Sequence, residues 1–63
     1  MTLDEVTSFN LKEVVLTTTD GLVFKGKMYV YMEPADDYNE IKTHVTIGQI
    51  WIDFEDIKDI KLA

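Results

Sequence analysis

Sixty-three residues with twelve acids against six bases, no cysteine and one histidine exclude disulfide stapling and leave a zinc site without thiolates. A chain this short buries only about 60% of its unfolded surface, which leaves self-association as the common supplement to its stability. The formal charge is −6 and every base is a lysine, so the chain repels nucleic acid at long range and lacks the residue that forks onto phosphate or guanine.

The composition, 46% hydrophobic and 29% charged, is that of a foldable chain, and its length predicts one domain over 1–63. Met1-Thr2-Leu3-Asp4-Glu5 carries neither the basic nor the apolar run of a signal peptide. No apolar stretch reaches the roughly 20 residues of a membrane span. With no cysteine, which agrees with a reducing compartment, the expected setting is the cytoplasm, with no membrane partner.

Residues 2–9 predict a short helix. Thr2 stands at the cap with Glu5 three positions later, the spacing of a capping box. Leu3 and Val6 share a face and Phe9 anchors the segment. From Leu11 the period changes to two: Val14, Leu16 and Thr18 lie on one side, and Asp20-Gly21 signals a hairpin. Beyond it, Leu22, Phe24, Gly26, Met28, Val30 and Met32 form the inward phase of a strand of about eleven residues. Gly26 sits at its centre, where a missing Cβ lets the strand bend or another approach closely. Val23, Tyr29 and Tyr31 take the outward phase.

Glu33-Pro34-Ala35-Asp36-Asp37 predicts a loop, because Pro34 removes a ladder donor and paired aspartates favour turns. A third strand follows with Ile41, Thr43, Val45 and Ile47 inward, and Lys42, His44 and Thr46 outward. His44 is expected to be exposed. Gly48-Gln49 turns the chain into Ile50, Ile52 and Phe54, which alternate with Trp51 and Asp53. Glu55-Asp56 interrupts, and Ile57, Ile60 and Leu62 close the sequence. The expected fold class is therefore all-β: a small, strongly bent, open five-stranded barrel over 11–62 behind a short helix.

Catalytic chemistry is not indicated. Ser8 is the sole serine and lies in no nucleophile motif, so no enzyme activity and no cofactor are expected. Asp36, Asp37, Asn39 and Glu40 gather oxygens within five residues, but without the alternation and glycine of a Ca²⁺ loop. They are read as a solvated acidic loop, and no metal is expected.

The order of elements, with Val14-Val15-Leu16, Asp20-Gly21, Phe24, Gly26, Met28 and Tyr31, and then Ile47-Gly48, Ile50, Ile52, Glu55-Asp56, Ile57 and Ile60, resembles the Sm and Sm-like family as a divergent member. The resemblance spans residues 11–62. It implies an Sm-like barrel, related to SH3-like barrels, whose fourth strand pairs with the fifth strand of the next copy to build a homo-oligomeric ring of about five to seven subunits. Ile50, Trp51, Ile52, Ile57 and Ile60 are the interface residues so implied, and Trp51 is the large outward-facing one. It also implies a single-stranded RNA site, carried over to Tyr38 as a stacking face and Asn39 as an amide that reads a base edge. No DNA partner is expected.

Three positions depart from the family pattern. Asp53-Phe54 stands where the family has Arg-Gly, which reverses the local charge. Met32 replaces the usual aspartate, and the loop to Asn39 is longer. An alternative therefore stands beside RNA binding: a structural or protein-interaction ring that has lost its nucleotide site. A third option is a monomeric binding module on an unrelated small barrel.

Overall fold

In the computed structural model, residues 1–34 and 41–63 are described. Helix α1 (Leu3–Ser8) precedes five strands: β1 (Glu13–Thr18), β2 (Val23–Pro34), β3 (Ile41–Ile47), β4 (Ile50–Asp53) and β5 (Ile57–Leu62). A single 3-10 turn, Phe54–Asp56, links β4 to β5. All neighbouring strands are antiparallel in the order β4-β3-β2-β1-β5. The sheet is not closed: β4 and β5 are its two ends.

The capping box at α1 is complete. The Glu5 backbone N–H donates to Thr2 Oγ1 at 3.2 Å, and the Thr2 N–H donates to Glu5 Oε1 at 3.1 Å. Two of the donors orphaned at a helix start are thereby satisfied. These bonds to the carboxylate, the backbone one first and the Thr2 hydroxyl second, hold the Glu5 carboxyl below its ordinary range. α1 buries Val6 completely and leaves Leu3 exposed.

β2 is shared between two halves of the sheet. Val23–Lys27 pair with β1, whereas Met28–Pro34 pair with β3. The partner changes between Lys27 and Met28, one residue beyond Gly26, whose φ of +153° is open to glycine and unfavourable to other residues. A Cβ at Gly26 would stand 3.0 Å from Ile47 Cγ2, so both expected uses of this glycine, bending and close approach, are realised together. On the side of β2 that β1 leaves, the chain after α1 takes over. Leu11 N–H donates to the Met28 carbonyl, Met28 N–H to the Lys12 carbonyl, and Val30 N–H to Asn10 Oδ1.

The core is Val6, Val14, Leu16, Met28, Val45, Ile47, Ile52, Ile57 and Ile60, with Phe9, Phe24, Val30 and Phe54 packed against it. The inward phase of β1 holds as expected, that of β3 holds from Thr43 to Ile47 while Ile41, expected inward, is exposed at the strand's start, and in β2 the phase holds from Phe24 to Val30. Leu22 and Met32, at the ends of that pattern, are exposed. The spacing of three between Ile57 and Ile60 comes from a register shift opposite Thr17 and Thr18, where an extra residue keeps both isoleucines inward.

One connection differs from the sequence reading. Glu33 and Pro34 are not loop but the end of β2, paired with Lys42 and Ile41. Pro34 takes the last ladder position among the described residues, opposite Ile41, and a proline is tolerated toward a strand's end, where one missing donor costs least. The β1–β2 hairpin forms at Asp20-Gly21 as expected; its loop is Thr19–Leu22, and the Thr18 side chain accepts from the Leu22 N–H at 3.1 Å. Gly21 has φ +88° within it. Gly48-Gln49 does form a two-residue turn, with φ +62° at Gly48 and Ile47 opposite Ile50, as a hairpin with glycine first requires.

Candidate functional site

The two-residue turn at Gly48 sets the register of β3 against β4: Thr46 faces Trp51, and His44 faces Asp53. On the other side of β3, His44 faces Tyr31 of β2. Because directly opposed residues share a sheet face, Tyr31, His44, Asp53 and Trp51 collect on the outer surface of three adjacent strands.

Their rings form a row. The Tyr31 and His44 rings are stacked with centroids 5.1 Å apart and 12° between planes. The His44 and Trp51 rings stack at 3.7 Å and 8°. Trp51 Nε1 donates to Asp53 Oδ1 at 3.0 Å, which fixes the indole against the sheet. His44 is only 6% exposed, which corrects the expectation of an exposed strand histidine: its own strand turns it outward, but the flanking rings cover it. The signal was present in the hairpin, since a two-residue turn after Ile47 places Trp51 diagonal to His44.

Trp51 itself is 62% exposed. It lies on β4, an end strand, so the row finishes at an open sheet edge. Tyr29 and Tyr31 are exposed on the same face, and the Lys27 ammonium stands 5.6 Å from the centre of the Tyr29 ring. A shallow cleft of about 160 Å³ runs beside β4, between Ile50–Ile52 and Thr18, Leu22 and Phe24. It marks the seam where the sheet fails to close.

Of the other expected interface residues, Ile50 is exposed beside Trp51, whereas Ile52, Ile57 and Ile60 have core side chains. What those three offer at an edge is main chain. Neither outer edge, of β4 or of β5, is paired among the described residues. Tyr38 and Asn39, the residues carried over as an RNA site, lie outside the described residues, as do Asp36, Asp37 and Glu40 of the acidic loop.

A second cleft, of about 400 Å³, opens where β4 leaves the sheet and β3 continues, between Leu3, Ile41, Thr43, Phe54 and Glu55. Thr43 is buried, and its Oγ1 has no hydrogen-bond partner among the described residues. No cluster of three or more metal-binding side chains occurs among the described residues, and no helix among them is long and apolar enough to cross a membrane.

Comparison with protein-family models, with curated proteins and with solved structures found no match to this chain.

Proposed function

We propose that this protein is a structural subunit that assembles with copies of itself, head to tail, into a closed homo-oligomeric ring. The observation that carries the reading is the strand order. A five-stranded sheet left open, with β4 at one end and β5 at the other, presents two different edges, and an edge of unpaired N–H and C=O groups is a template for another strand. Pairing unlike edges is heterologous, so it repeats from copy to copy until the rotation closes. The Sm-like resemblance implies this same pairing of fourth and fifth strands. Exposed Ile50, Trp51 and Leu62 on those strands supply apolar area that a monomer this small leaves in water.

A second reading adds single-stranded RNA as the ligand of the ring, as the resemblance implies. Lys27 beside the exposed Tyr29 ring favours it, since a cation among open aromatic faces suits stacked bases. The charge of −6 per chain and the acidic Asp53 weigh the other way.

Native mass spectrometry tests both. Assembly predicts an integer multiple of 7.3 kDa for the wild type and loss of that species in Trp51→Asp. A wild-type monomer at micromolar concentration would overturn the ring. Uptake of one U-rich or A-rich oligonucleotide per ring at low salt, where phosphate contacts are strongest, would add the RNA function, and a ring that takes up neither would remove it.

A further inference from the structure

The ring reading says which edges meet but not in what register. On β4, Ile50 and Ile52 face inward and Trp51 and Asp53 outward, as their partners on β3 require. On β5, Ile60 and Leu62 face inward with Leu16 and Val14, while Asp59 and Lys61 face outward opposite Thr17 and Val15. If β5 of one copy extends the sheet of the next across β4, antiparallel, inward residues must meet inward residues, because a slip of one position would turn every side chain to the wrong face.

Two neighbouring registers satisfy this. One sets Trp51 opposite Lys61 of the next copy and therefore Asp53 opposite Asp59. The other sets Asp53 opposite Lys61 and Ile52 opposite Leu62. The first places two carboxylates directly across from one another, which destabilises a strand pair. The second replaces that repulsion with an opposite-charge pair. It also brings Leu62, 62% exposed in the single chain, over the cleft between β4 and Leu22 and Phe24.

We infer that Asp53 and Trp51 together form the receptor for Lys61 of the neighbouring copy, and that this contact selects the register of the ring. Asp53 Oδ1 already accepts from the indole N–H, which leaves the second carboxylate oxygen for the ammonium. Trp51 lies diagonal to Lys61 in this register, within reach of a long side chain. The indole face away from His44 is open at the sheet edge and receives the charge as a cation–π contact. The inference rests on the head-to-tail assembly proposed above. It also accounts for an acid at position 53: the residue serves a protein contact there, not a phosphate.

The absence of native cysteine makes the register directly readable. Directly opposed residues have Cβ atoms about 4.5–5.5 Å apart and diagonal ones about 7–8 Å between positions, and only the former approach disulfide geometry. Ile52→Cys combined with Leu62→Cys, directly opposed in this register and leaving Asp53, Trp51 and Lys61 in place, is expected to give, on mild oxidation, a ladder of covalent oligomers on a non-reducing gel. Ile50→Cys combined with Leu62→Cys, directly opposed only in the other register, should cross-link much more slowly. The reverse ranking, with the ring intact by native mass, overturns this register and leaves the assembly standing. A wild-type monomer overturns the assembly and the register together.

Charge exchange gives a check that needs no cysteine. Asp53→Lys alone should lose the ring, and Asp53→Lys with Lys61→Asp should recover it at the wild-type mass. A ring unaffected by Asp53→Lys would sink the proposal.

Discussion

The His44 and Trp51 rings lie face to face, 3.7 Å apart and within 8° of parallel, although the two residues belong to different strands and are diagonal rather than opposite in the ladder. With Tyr31 on the far side, the histidine is enclosed by aromatic surface on a face that otherwise meets solvent. Each aromatic pair contributes about 0.5–1.5 kcal/mol beyond its area burial. His44→Ala should therefore destabilise the fold by roughly 1–3 kcal/mol. Urea unfolding followed by emission of Trp51, the sole tryptophan, measures both the loss of stability and the red shift of a freed indole. Protein concentration must be held constant, because association contributes to apparent stability. A double-mutant cycle with Trp51→Ala should return a coupling of about 1 kcal/mol, and zero coupling would mean that the stack contributes nothing.

Gly26→Ala meets two obstacles at once. The backbone is in a region that L residues rarely adopt, and the new methyl would stand 3.0 Å from Ile47 Cγ2. A strained backbone position costs about 1–3 kcal/mol, and the crowding adds to it because the neighbour is a core side chain. The variant should fall at or beyond the upper end of that range, seen as a lower midpoint in thermal unfolding. Gly21→Ala, where nothing lies within 4 Å, carries strain alone and should be milder. Equal midpoints for the two would refute the role of Ile47.

Thr43 offers a change in the opposite direction. Its hydroxyl is buried without a partner among the described residues, and an unsatisfied buried polar atom costs about 1–3 kcal/mol. Replacing it with a methyl of similar shape, in Thr43→Val, should leave stability unchanged or raise it by about 1 kcal/mol. Thr43→Ser keeps the orphan hydroxyl and opens a gap, so it should be the less stable of the pair. A destabilised valine variant would mean that the hydroxyl is satisfied in solution.

Acid should loosen α1 first. The Glu5 carboxyl is held below its ordinary value of 4.5 by the bonds it accepts from Thr2. A carboxylate whose folded pKa is depressed contributes stability that is fully present above the unfolded value and is lost as pH falls through the folded one. The window therefore opens near 4.5 and extends below it. Hydrogen exchange at the Glu5 and Val6 amides should accelerate over that range relative to the strands, after correction for the intrinsic rate. Glu5→Gln should remove this pH dependence while keeping much of the cap, since glutamine also closes the box.

Much of the fold is legible residue by residue. Alternation from Val14 to Thr18 and from Ile41 to Ile47 placed those strands, and their inward faces except at Ile41, which is exposed. Thr2 and Glu5 announced the cap, and Gly48-Gln49 the tight turn. These are local signals, set by the period of side chains along a strand and by the few residues that tolerate particular turns. Glu33-Pro34 misled because a proline is tolerated toward a strand's end, where one missing donor costs least. His44 misled for a related reason: alternation reports which way a side chain points, not what stands beside it.

The sequence by itself determined an all-β chain with its strands, its inward phases, its bending glycine and its surplus of negative charge. The tertiary structure decided that β2 splits its partners just past Gly26, between Lys27 and Met28, that β4 and β5 end the sheet, and that Tyr31, His44 and Trp51 come into one row. The division follows from distance along the chain. Side-chain periodicity and turn geometry act over a few neighbours, whereas Tyr31 and Trp51 meet His44 only once two strand pairings have set a common register. No single segment carries that information, and the row exists only when all three strands are in place.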